Sequence, residues 1–357
     1  MSRTGQNAAD PVRKGDEFDI KAMHEQLSSE IEGLTGLPDV RQYPSGASNL
    51  TYELSYPDRT LVLRRPPMGT KPKSGHDMWR EYRIMRDLKP VFDAVPPVLY
   101  YTDDESIIGA EFYVMDKVAG PLIHNEIPED WDWDASDGSK LCDEFFTKLV
   151  DLHQVDFKAA GLADFGKPTG YIQRQIQGWN RRYEKAWTPD VEKFEDVRKW
   201  LDDNRPAKEN GHAIVHGDFR IDNCILNADD PHKISAILDW EISALGDPLM
   251  DLGNTLAYWI EPNDPPYMHM MVRQPSRAPG MMTRAQVAQF YAQRTGHDVS
   301  NIPYYFVYGI FRLAVIIQQI YYRYYHGQTD NARFKDYGQM TNLLGTLARE
   351  KIASGKL

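Results

Sequence analysis

Residues 213–241 read AIVHGDFRIDNCILNADDPHKISAILDWE, and they combine apolar runs with a high density of acidic and amide side chains. Three short apolar runs in this stretch are predicted β-strands, at 213–215, 224–226 and 234–238. Polar residues lie at the ends of these runs, among them Asp218, Asn223 and Asp239. We therefore expect these three side chains to converge as oxygen ligands and a base.

This combination is suited to phosphoryl transfer. Magnesium prefers a few carboxylate or amide oxygens and completes its coordination shell with water and phosphate. The reaction also needs a group that orients the attacking hydroxyl and accepts its proton. In this interpretation Asp218 is the catalytic base, Asn223 and Asp239 bind magnesium, and His216 braces the loop. The alternative is that each polar residue is only a turn former, and their order and spacing favour the functional interpretation.

The motif HGDFRIDN at 216–223, together with LDWE at 238–241, resembles the aminoglycoside phosphotransferase and choline kinase-like family, small-molecule relatives of the protein kinases. In that family the first motif resembles the kinase HRDxxxxN loop, and Asp239 takes the position of the DFG aspartate. The resemblance implies an α+β, two-lobed protein-kinase-like fold with a small antiparallel-sheet N-lobe and a larger helical C-lobe. It also implies ATP- and magnesium-dependent transfer of the γ-phosphate to a hydroxyl of a small molecule.

The pattern of apolar residues divides the chain near residue 118. Before this point we predict a helix at 19–34, strands at 40–43, 50–56 and 60–64, a helix at 77–88, and strands near 98–102 and 111–118. After it we predict helices near 139–155, 171–187, 191–203, 282–296, 303–325 and 331–354. The expected organisation is a disordered leader at 1–18, a nucleotide-binding lobe at 19–118, and a helical lobe at 119–357 with the catalytic loop and acceptor site.

The stretch SGASNLTYEL at 45–54 lies where a kinase hairpin would cover the ATP phosphates. The resemblance therefore implies that Ser48, Asn49 and Thr51 offer hydroxyl, amide and backbone donors to the nucleotide. The stretch lacks GxGxxG, so a plain polar turn is the alternative.

The third predicted strand, TLVLRRPP, stands where kinases carry the lysine that contacts the α- and β-phosphates. Alignment of VLR with that motif favours Arg64 as the phosphate contact, with Arg65 as the second choice. Successive strand residues point to opposite faces, so only one of the two can serve. Glu81 resembles the helix glutamate that pairs with this cation, and a solvated surface residue is its alternative.

Two further stretches extend the resemblance. FYVMDKVAG at 112–120 resembles the hinge between the lobes, so that Met115, Asp116 and Val118 would lie against the adenine, although an ordinary buried strand fits equally well. In GDPLMDLGN we expect Asp251 to be a buried brace of the catalytic loop and Asp247 to be an N-cap.

Composition excludes several other classes of function. The 357 residues carry 41 Lys plus Arg and 52 Asp plus Glu, a net charge of −11, which argues against general nucleic-acid binding. Two distant cysteines exclude a disulfide framework and a cysteine zinc site. No apolar stretch is typical of a signal peptide or of a membrane span, so we expect a cytoplasmic protein with no membrane association and no obligate protein partner.

The sequence leaves the acceptor open. The many aromatic residues of the helical half are typical either of a core or of an acceptor pocket, and the core is favoured. Because the usual lysine and GxGxxG are absent, a nucleotide-binding pseudokinase without transfer activity is the alternative to a kinase. A magnesium-dependent hydrolase that uses the same acids with water is a third hypothesis.

Overall fold

A six-stranded antiparallel sheet organises the N-lobe in the computed structural model, which describes residues 8–44, 49–67 and 77–357. The strand order is β1-β2-β3-β4-β6-β5. The strands are β1 (Asp10–Pro11), β2 (Asp39–Gln42), β3 (Leu50–Ser55), β4 (Thr60–Arg65), β5 (Val98–Thr102) and β6 (Phe112–Asp116). Two helices, α1 (Ile20–Glu30) and α2 (Met78–Leu88), begin after the N-caps Asp19 and Asp77.

The two faces of the sheet belong to different apolar cores. In β4, Leu61 and Leu63 pack with Met23 and Leu27 of α1. Val62 lies in the other core, which continues through α2 into the helical region. Alternation along β4 therefore directs neighbouring side chains toward different parts of the molecule.

Residues 8–18 differ from the predicted disordered leader. Asp10 and Pro11 pair with β2, and the Phe18 ring lies edge-on to Tyr52 with 5.0 Å between the ring centroids. The carbonyl of Asp16 accepts a hydrogen bond of 2.7 Å from the Arg65 guanidinium. Local composition did not reveal this order because the partners of the segment lie about 25 to 50 residues farther along the chain.

The helical C-terminal region matches the predicted fold class. Its helices are α3 (Ala135–Gln154), α4 (Tyr171–Ala186), α5 (Glu195–Asp203), α6 (Pro248–Tyr258), α7 (Pro266–His269), α8 (Arg284–Thr295), α9 (Ile302–Tyr325) and α10 (Tyr337–Ser354). Two small antiparallel ladders carry the chemistry-bearing stretch and consist of β7 (Ala213–Val215) with β10 (Ala244–Gly246) and β8 (Cys224–Leu226) with β9 (Ile234–Ile237). Helix α3 begins four residues before its predicted start because Asp134 and Asp137 form a capping box.

A helix that spans a membrane must be both long and apolar. Over residues 8–44, 49–67 and 77–357, none of the helices is both long enough and apolar enough to cross a bilayer. Even α9, with 24 residues, carries the polar side chains of Arg312 and Gln318 in its buried portion.

Helices α6 and α9 cross with their backbones in close contact. A Cβ atom added to Gly253 would lie 2.3 Å from the carbonyl oxygen of Tyr305. A Cβ atom added to Gly309 would lie 2.3 Å from the carbonyl oxygen of Gly253. Only glycine fits at this crossing, which holds α6 and the loop before it against the longest helix of the described chain.

We expect Gly253→Ala and Gly309→Ala each to lower the free energy of unfolding by about 1–3 kcal/mol or more, because the methyl group would push two backbones apart. Gly178→Ala on α4 is the control, since the nearest atom is the end of the Arg182 side chain at 3.4 Å. It should be neutral or stabilising by up to about 1 kcal/mol. Urea denaturation measures all three, and equal midpoints would contradict the close crossing.

Candidate active site

The catalytic loop begins directly after β7 and is held by one carboxylate. Asp251 of α6 is buried, and its two oxygens accept hydrogen bonds from the backbone amides of His216 at 2.7 Å and Gly217 at 2.8 Å. His153 of α3 contacts the same carboxylate through Nε2 at 3.2 Å. The predicted brace is therefore confirmed, as is the predicted N-cap, since Asp247 accepts a hydrogen bond from the Leu249 amide.

The ionised form of Asp251 is favoured despite its burial. Burial alone would raise the pKa of this carboxyl. The hydrogen bond from His153 and the one from the His216 amide outweigh this effect and hold the pKa below its ordinary value. A charged acceptor thus remains inside the protein to receive the loop amides.

His216 acts on the loop through both of its ring nitrogens. Nε2 donates to the carbonyl of Leu238 at 2.9 Å, and Nδ1 accepts from the Asp218 amide at 3.2 Å. The neutral ring satisfies both bonds, and burial lowers the pKa of His216 below its ordinary value. His216 therefore joins the Asp218 loop to the residue that precedes Asp239.

Asp218 lies between an amide and a guanidinium. Asn223, at the end of a 3-10 turn, donates from Nδ2 to the Asp218 carbonyl at 2.9 Å and to its Oδ2 at 3.2 Å. Nη2 of Arg220 lies 3.1 Å from the same Oδ2. The carboxylate is 18 % exposed, so it is oriented by these partners and still reachable from solvent. Arg220 was not predicted, although it stands inside the HGDFRIDN motif.

Asn223 directly precedes β8 and Asp239 follows β9, and the antiparallel pairing of the two strands brings these ends together. Cys224 pairs with Ile237 in the β8–β9 ladder, and the Leu238 amide donates to the Asn223 carbonyl at 2.8 Å. Asp239 follows in the left-handed conformation, with φ 69° and ψ 54°, and its side chain is 37 % exposed. A non-glycine residue in this conformation costs about 1–2 kcal/mol, and such strain concentrates at functional sites.

The donor set fits a magnesium ion that is shared with phosphates. The amide nitrogen of Asn223 is used by Asp218, so its carbonyl oxygen is the atom for a cation, beside the Asp239 carboxylate. In the described ranges, no group of three or more His, Cys, Asp or Glu residues could hold a metal alone. Magnesium commonly takes one or two protein carboxylates and completes its shell with substrate phosphates and water.

Arg64 connects the sheet to the catalytic elements. Its Nη1 lies 3.3 Å from Oε1 of buried Glu81, and its Nη2 lies 3.8 Å from carboxylate oxygens of both Asp239 and Glu241. Burial alone would lower the pKa of Arg64, but these carboxylates outweigh it and raise the pKa. Glu81 is thus a buried partner of the cation, and the surface alternative for this residue is wrong.

Arg65 faces the opposite side of β4. Its guanidinium donates to the Tyr52 hydroxyl at 2.8 Å and to the Asp16 carbonyl, and the side chain is fully buried. The choice between the two arginines, which the sequence left open, therefore favours Arg64, because Arg65 is held within the N-lobe.

The predicted phosphate-covering turn is described only in part. Ser48 lies outside the described residues. Thr51 pairs opposite Arg64 in the sheet, whereas Asn49 is buried and donates to Oε2 of Glu241 at 3.2 Å. Sequence reasoning used only the aspartate of LDWE and missed Glu241, although an acid two residues after Asp239 was a visible signal.

The predicted hinge has fewer free backbone amides than expected. The Asp116 amide donates to the Pro97 carbonyl at 2.9 Å, and the Lys117 amide donates to Thr60 at 3.2 Å. The Asp116 carboxylate pairs with Arg59 at 2.7 Å. Met115 is buried opposite Val62 of β4, and Val118 is half-buried. Asp116 therefore cannot offer its amide to a base, and Val118 is the better placed of the two.

The aromatic residues of the helical half divide into two groups. Most are fully buried core residues, including Tyr183, Trp259, Tyr304, Tyr305, Phe306, Tyr308 and Phe311. Trp179 and Tyr258 are half-buried, and the Arg220 guanidinium lies 4.8 Å from the centre of the Tyr258 ring. The favoured core interpretation is thus confirmed for the first group, while Tyr258 of the second group lies beside Arg220 of the HGDFRIDN motif.

Comparisons with known proteins agree with this geometry. A sequence profile of the phosphotransferase enzyme family matches residues 39–287. Mouse acyl-CoA dehydrogenase family member 10 is 34% identical over 345 residues, which are 95% of this chain and 31% of that protein. The chain therefore spans about a third of the length of this curated relative.

Solved structures show the same fold. A candidate aminoglycoside phosphotransferase from Ralstonia eutropha is 30% identical and superposes with a TM-score of 0.81, covering 95% of this chain and 99% of that one. Aminoglycoside phosphotransferase APH(4)-Ia, in a ternary complex with AMP-PNP and hygromycin B, is 14% identical with a TM-score of 0.56, covering 91% and 98% of the two chains. The predicted kinase-like fold is confirmed.

We expect Asp251→Asn to lower the free energy of unfolding by about 3 kcal/mol near neutral pH, because a neutral amide replaces the ionised acceptor of two loop amides and His153. The folded-state pKa of Asp251 is depressed, so the contribution is complete above its ordinary value of 3.8. It is lost as pH falls through the lower folded-state value.

Urea denaturation at a series of pH values measures this effect. The deficit should persist down to pH 3.8 and shrink only below it. Asp134→Asn is the control, since asparagine also caps a helix and Asp134 is exposed. A deficit that disappears in mildly acidic solution would contradict the ionised state of Asp251.

Proposed function

The chain belongs to the phosphotransferase enzyme family, and from that premise we propose that it transfers the γ-phosphate of ATP, with magnesium, to a hydroxyl of a small molecule. The observation that carries the proposal is the position of Asp218. Asn223 and Arg220 fix its carboxylate, which remains reachable from solvent. His216 also joins the loop of Asp218 to Leu238, the residue before Asp239. No other group of described residues combines these features.

In the proposed reaction Asp218 orients the acceptor hydroxyl and accepts its proton. The hydroxyl oxygen forms a bond to the γ-phosphorus as the bond from that phosphorus to the β-phosphate bridging oxygen breaks, and ADP leaves. The proton of the hydroxyl passes to the Asp218 carboxylate. General base catalysis by a positioned group typically contributes about 10²–10⁴ in rate.

The nucleotide would lie between the sheet and the β8–β9 ladder. Asn223 and Asp239 would hold magnesium, which when bound neutralises charge on the transferring phosphates. Arg64, buried against Glu81, supplies a guanidinium that can bind two phosphate oxygens at once. Met115 and the backbone at Val118 would contact the adenine, and Thr51 shares the face of Arg64.

Two comparisons bear on this proposal. APH(4)-Ia binds AMP-PNP and hygromycin B in the same fold, which supports a nucleotide and a small hydroxyl compound as ligands here. The dehydrogenase name of the mouse relative belongs to a protein of which the match covers 31%, so we propose no dehydrogenase activity for this chain.

The pseudokinase alternative is weakened by the site itself. It was motivated by the absence of the usual lysine. Arg64 takes the place of that lysine and pairs with Glu81. Asp218 and Asn223 are hydrogen-bonded in an arrangement suited to transfer.

We expect Asp218→Ala to reduce phosphate transfer by at least about 100-fold while the fold and nucleotide binding remain, because only the base is lost. The measurement is ADP release together with product mass, with Mg-ATP, across aminoglycosides, macrolides, amino alcohols, sugars and hydroxy acids. Asp229→Ala, in the exposed turn after β8, is the matched control and should be fully active. Near-normal turnover by Asp218→Ala would refute the assignment of the base.

We expect Arg64 and Arg65 to differ when each is replaced by methionine. Arg64→Met should weaken Mg-ATP binding by about tenfold or more, since a charge-assisted phosphate contact is lost. Arg65→Met should chiefly lower stability, since its partners are Tyr52 and Asp16 of the N-lobe. Calorimetric titration and urea denaturation separate the two effects, and the opposite pattern would exchange the roles.

A further inference from the structure

Helix α9 carries a buried cation, Arg312, that forms no ion pair with any described carboxylate. Arg312 is only 4% exposed, and its guanidinium carbon lies 5.1 Å from the centre of the Trp179 ring. Among the residues that the structure describes, no carboxylate forms an ion pair with it and no hydrogen bond to it is found. Arg284, which is 2% exposed, instead donates to Asp264 at 2.9 Å, as a buried guanidinium normally does.

Arg312 shares its described source of negative charge, Asp218, with a second arginine. Its surroundings include Tyr171, Tyr258 and Tyr308, together with the carboxylate of Asp218. Burial raises the pKa of all three tyrosines, so they are neutral near pH 7. Asp218 already lies 3.1 Å from Arg220.

Further hydrogen-bond donors lie at the same place. The guanidinium of Arg182, on the exposed side of α4, lies 4.5 Å from the centre of the Trp179 ring that Arg312 also contacts. The indole nitrogen of Trp179 is buried and interacts with the Tyr308 hydroxyl. Two guanidinium groups thus contact one indole, and no described carboxylate forms an ion pair with either of them.

A guanidinium stays charged at every accessible pH, so the protein cannot remove this cost by releasing a proton. A buried charge without an ion-pair partner is unfavourable until a ligand supplies acceptors. We infer that Arg312 binds an anionic oxygen group, a carboxylate or a phosphate, of the molecule whose hydroxyl reaches Asp218. The inference rests on the proposed function and names its acceptor class: hydroxyl compounds that carry a negative charge.

Cationic acceptors fit this site poorly. An amino alcohol or an aminoglycoside would bring its ammonium groups close to Arg312 and Arg220, and like charges in a desolvated site repel. The opposite hypothesis is that Arg312 is only a structural residue stacked on Trp179. The two hypotheses differ in what happens to the ligand-free protein when the charge is removed.

The experiment uses straight-chain acceptors of equal length that differ only in their terminal group: an ω-hydroxy carboxylate, a hydroxyalkyl phosphate, a diol and an amino alcohol. Binding to the full chain with Mg-ADP is measured by calorimetric titration and by the shift in thermal midpoint. The variants are Arg312→Met, Arg312→Lys and, as a matched buried arginine with an ion pair, Arg284→Met. Comparison of the carboxylate with the phosphate identifies which anionic group the site prefers.

We expect one or both anions to bind, and Arg312→Met to weaken that binding about tenfold to a hundredfold, the effect of losing a charge-assisted hydrogen bond. Arg312→Lys should recover part of the affinity, since it keeps the charge without the planar fork. Without ligand, Arg312→Met should unfold at or above the temperature of the unmodified protein, whereas Arg284→Met should unfold at a lower temperature.

Three results would overturn the inference. These are an amino alcohol that binds as tightly as the anions, anion binding that is unchanged in Arg312→Met, and no binding by any anion of the series. Transfer assays distinguish this failure from failure of the proposed function. Phosphate transfer to cationic or neutral acceptors alone would refute the anionic acceptor class but support the proposed kinase activity. Arg312-dependent anion binding without any transfer would support the anionic site but refute the proposed kinase activity.

Discussion

The carboxylate of Asp251 is the constraint on which the candidate site depends. It joins the first turn of α6 to the end of β7 through the His216 and Gly217 amides, and to α3 through His153. His153 in turn contacts the Tyr291 hydroxyl of α8 at 2.7 Å. Because three elements meet at one ionised group and α8 is joined to it through His153, the loop that carries Asp218 is fixed by the helical core rather than by its own short strands. The glycine crossing of α6 with α9 extends that support to the longest helix.

Asp218 and Asp239 are positioned by hydrogen bonds to backbone groups at or next to them. His216 bonds to the Asp218 amide and to the carbonyl just before Asp239, so a single neutral imidazole sets the distance between the two loops. Asp239 then adopts a left-handed conformation that the following 3-10 turn maintains. Its strain is offset by the β8–β9 ladder, which over-determines the position of the residues before it. Rigid placement of charged groups before the reactants bind is the usual source of electrostatic catalysis.

Local patterns in the sequence predicted strands β2 to β6, the N-cap Asp247 and the central motif, because these depend on residues close together in the chain. The order of residues 8–18 was missed because Arg65 and Tyr52 hold that segment from a distance. Glu241 and Arg220 were missed because each lies two residues after a motif aspartate that already had a role. The choice of Arg64 needed the structure, since alternation predicts that two neighbouring arginines face apart but not which face receives α2.

The charges around Arg64 indicate how its partners would change when magnesium and the nucleotide phosphates bind. Without nucleotide, Glu81, Asp239 and Glu241 surround the one guanidinium, and Asn49 also holds Glu241. The proposed arrival of magnesium at Asp239 and of phosphates at Arg64 would exchange these partners without leaving a buried charge alone. Glu81 would keep Arg64 in place during that exchange, because Glu81 is buried on α2 and does not share the cation site. On the inferred acceptor side, no described carboxylate forms an ion pair with Arg312, and the inferred anionic ligand would compensate its charge.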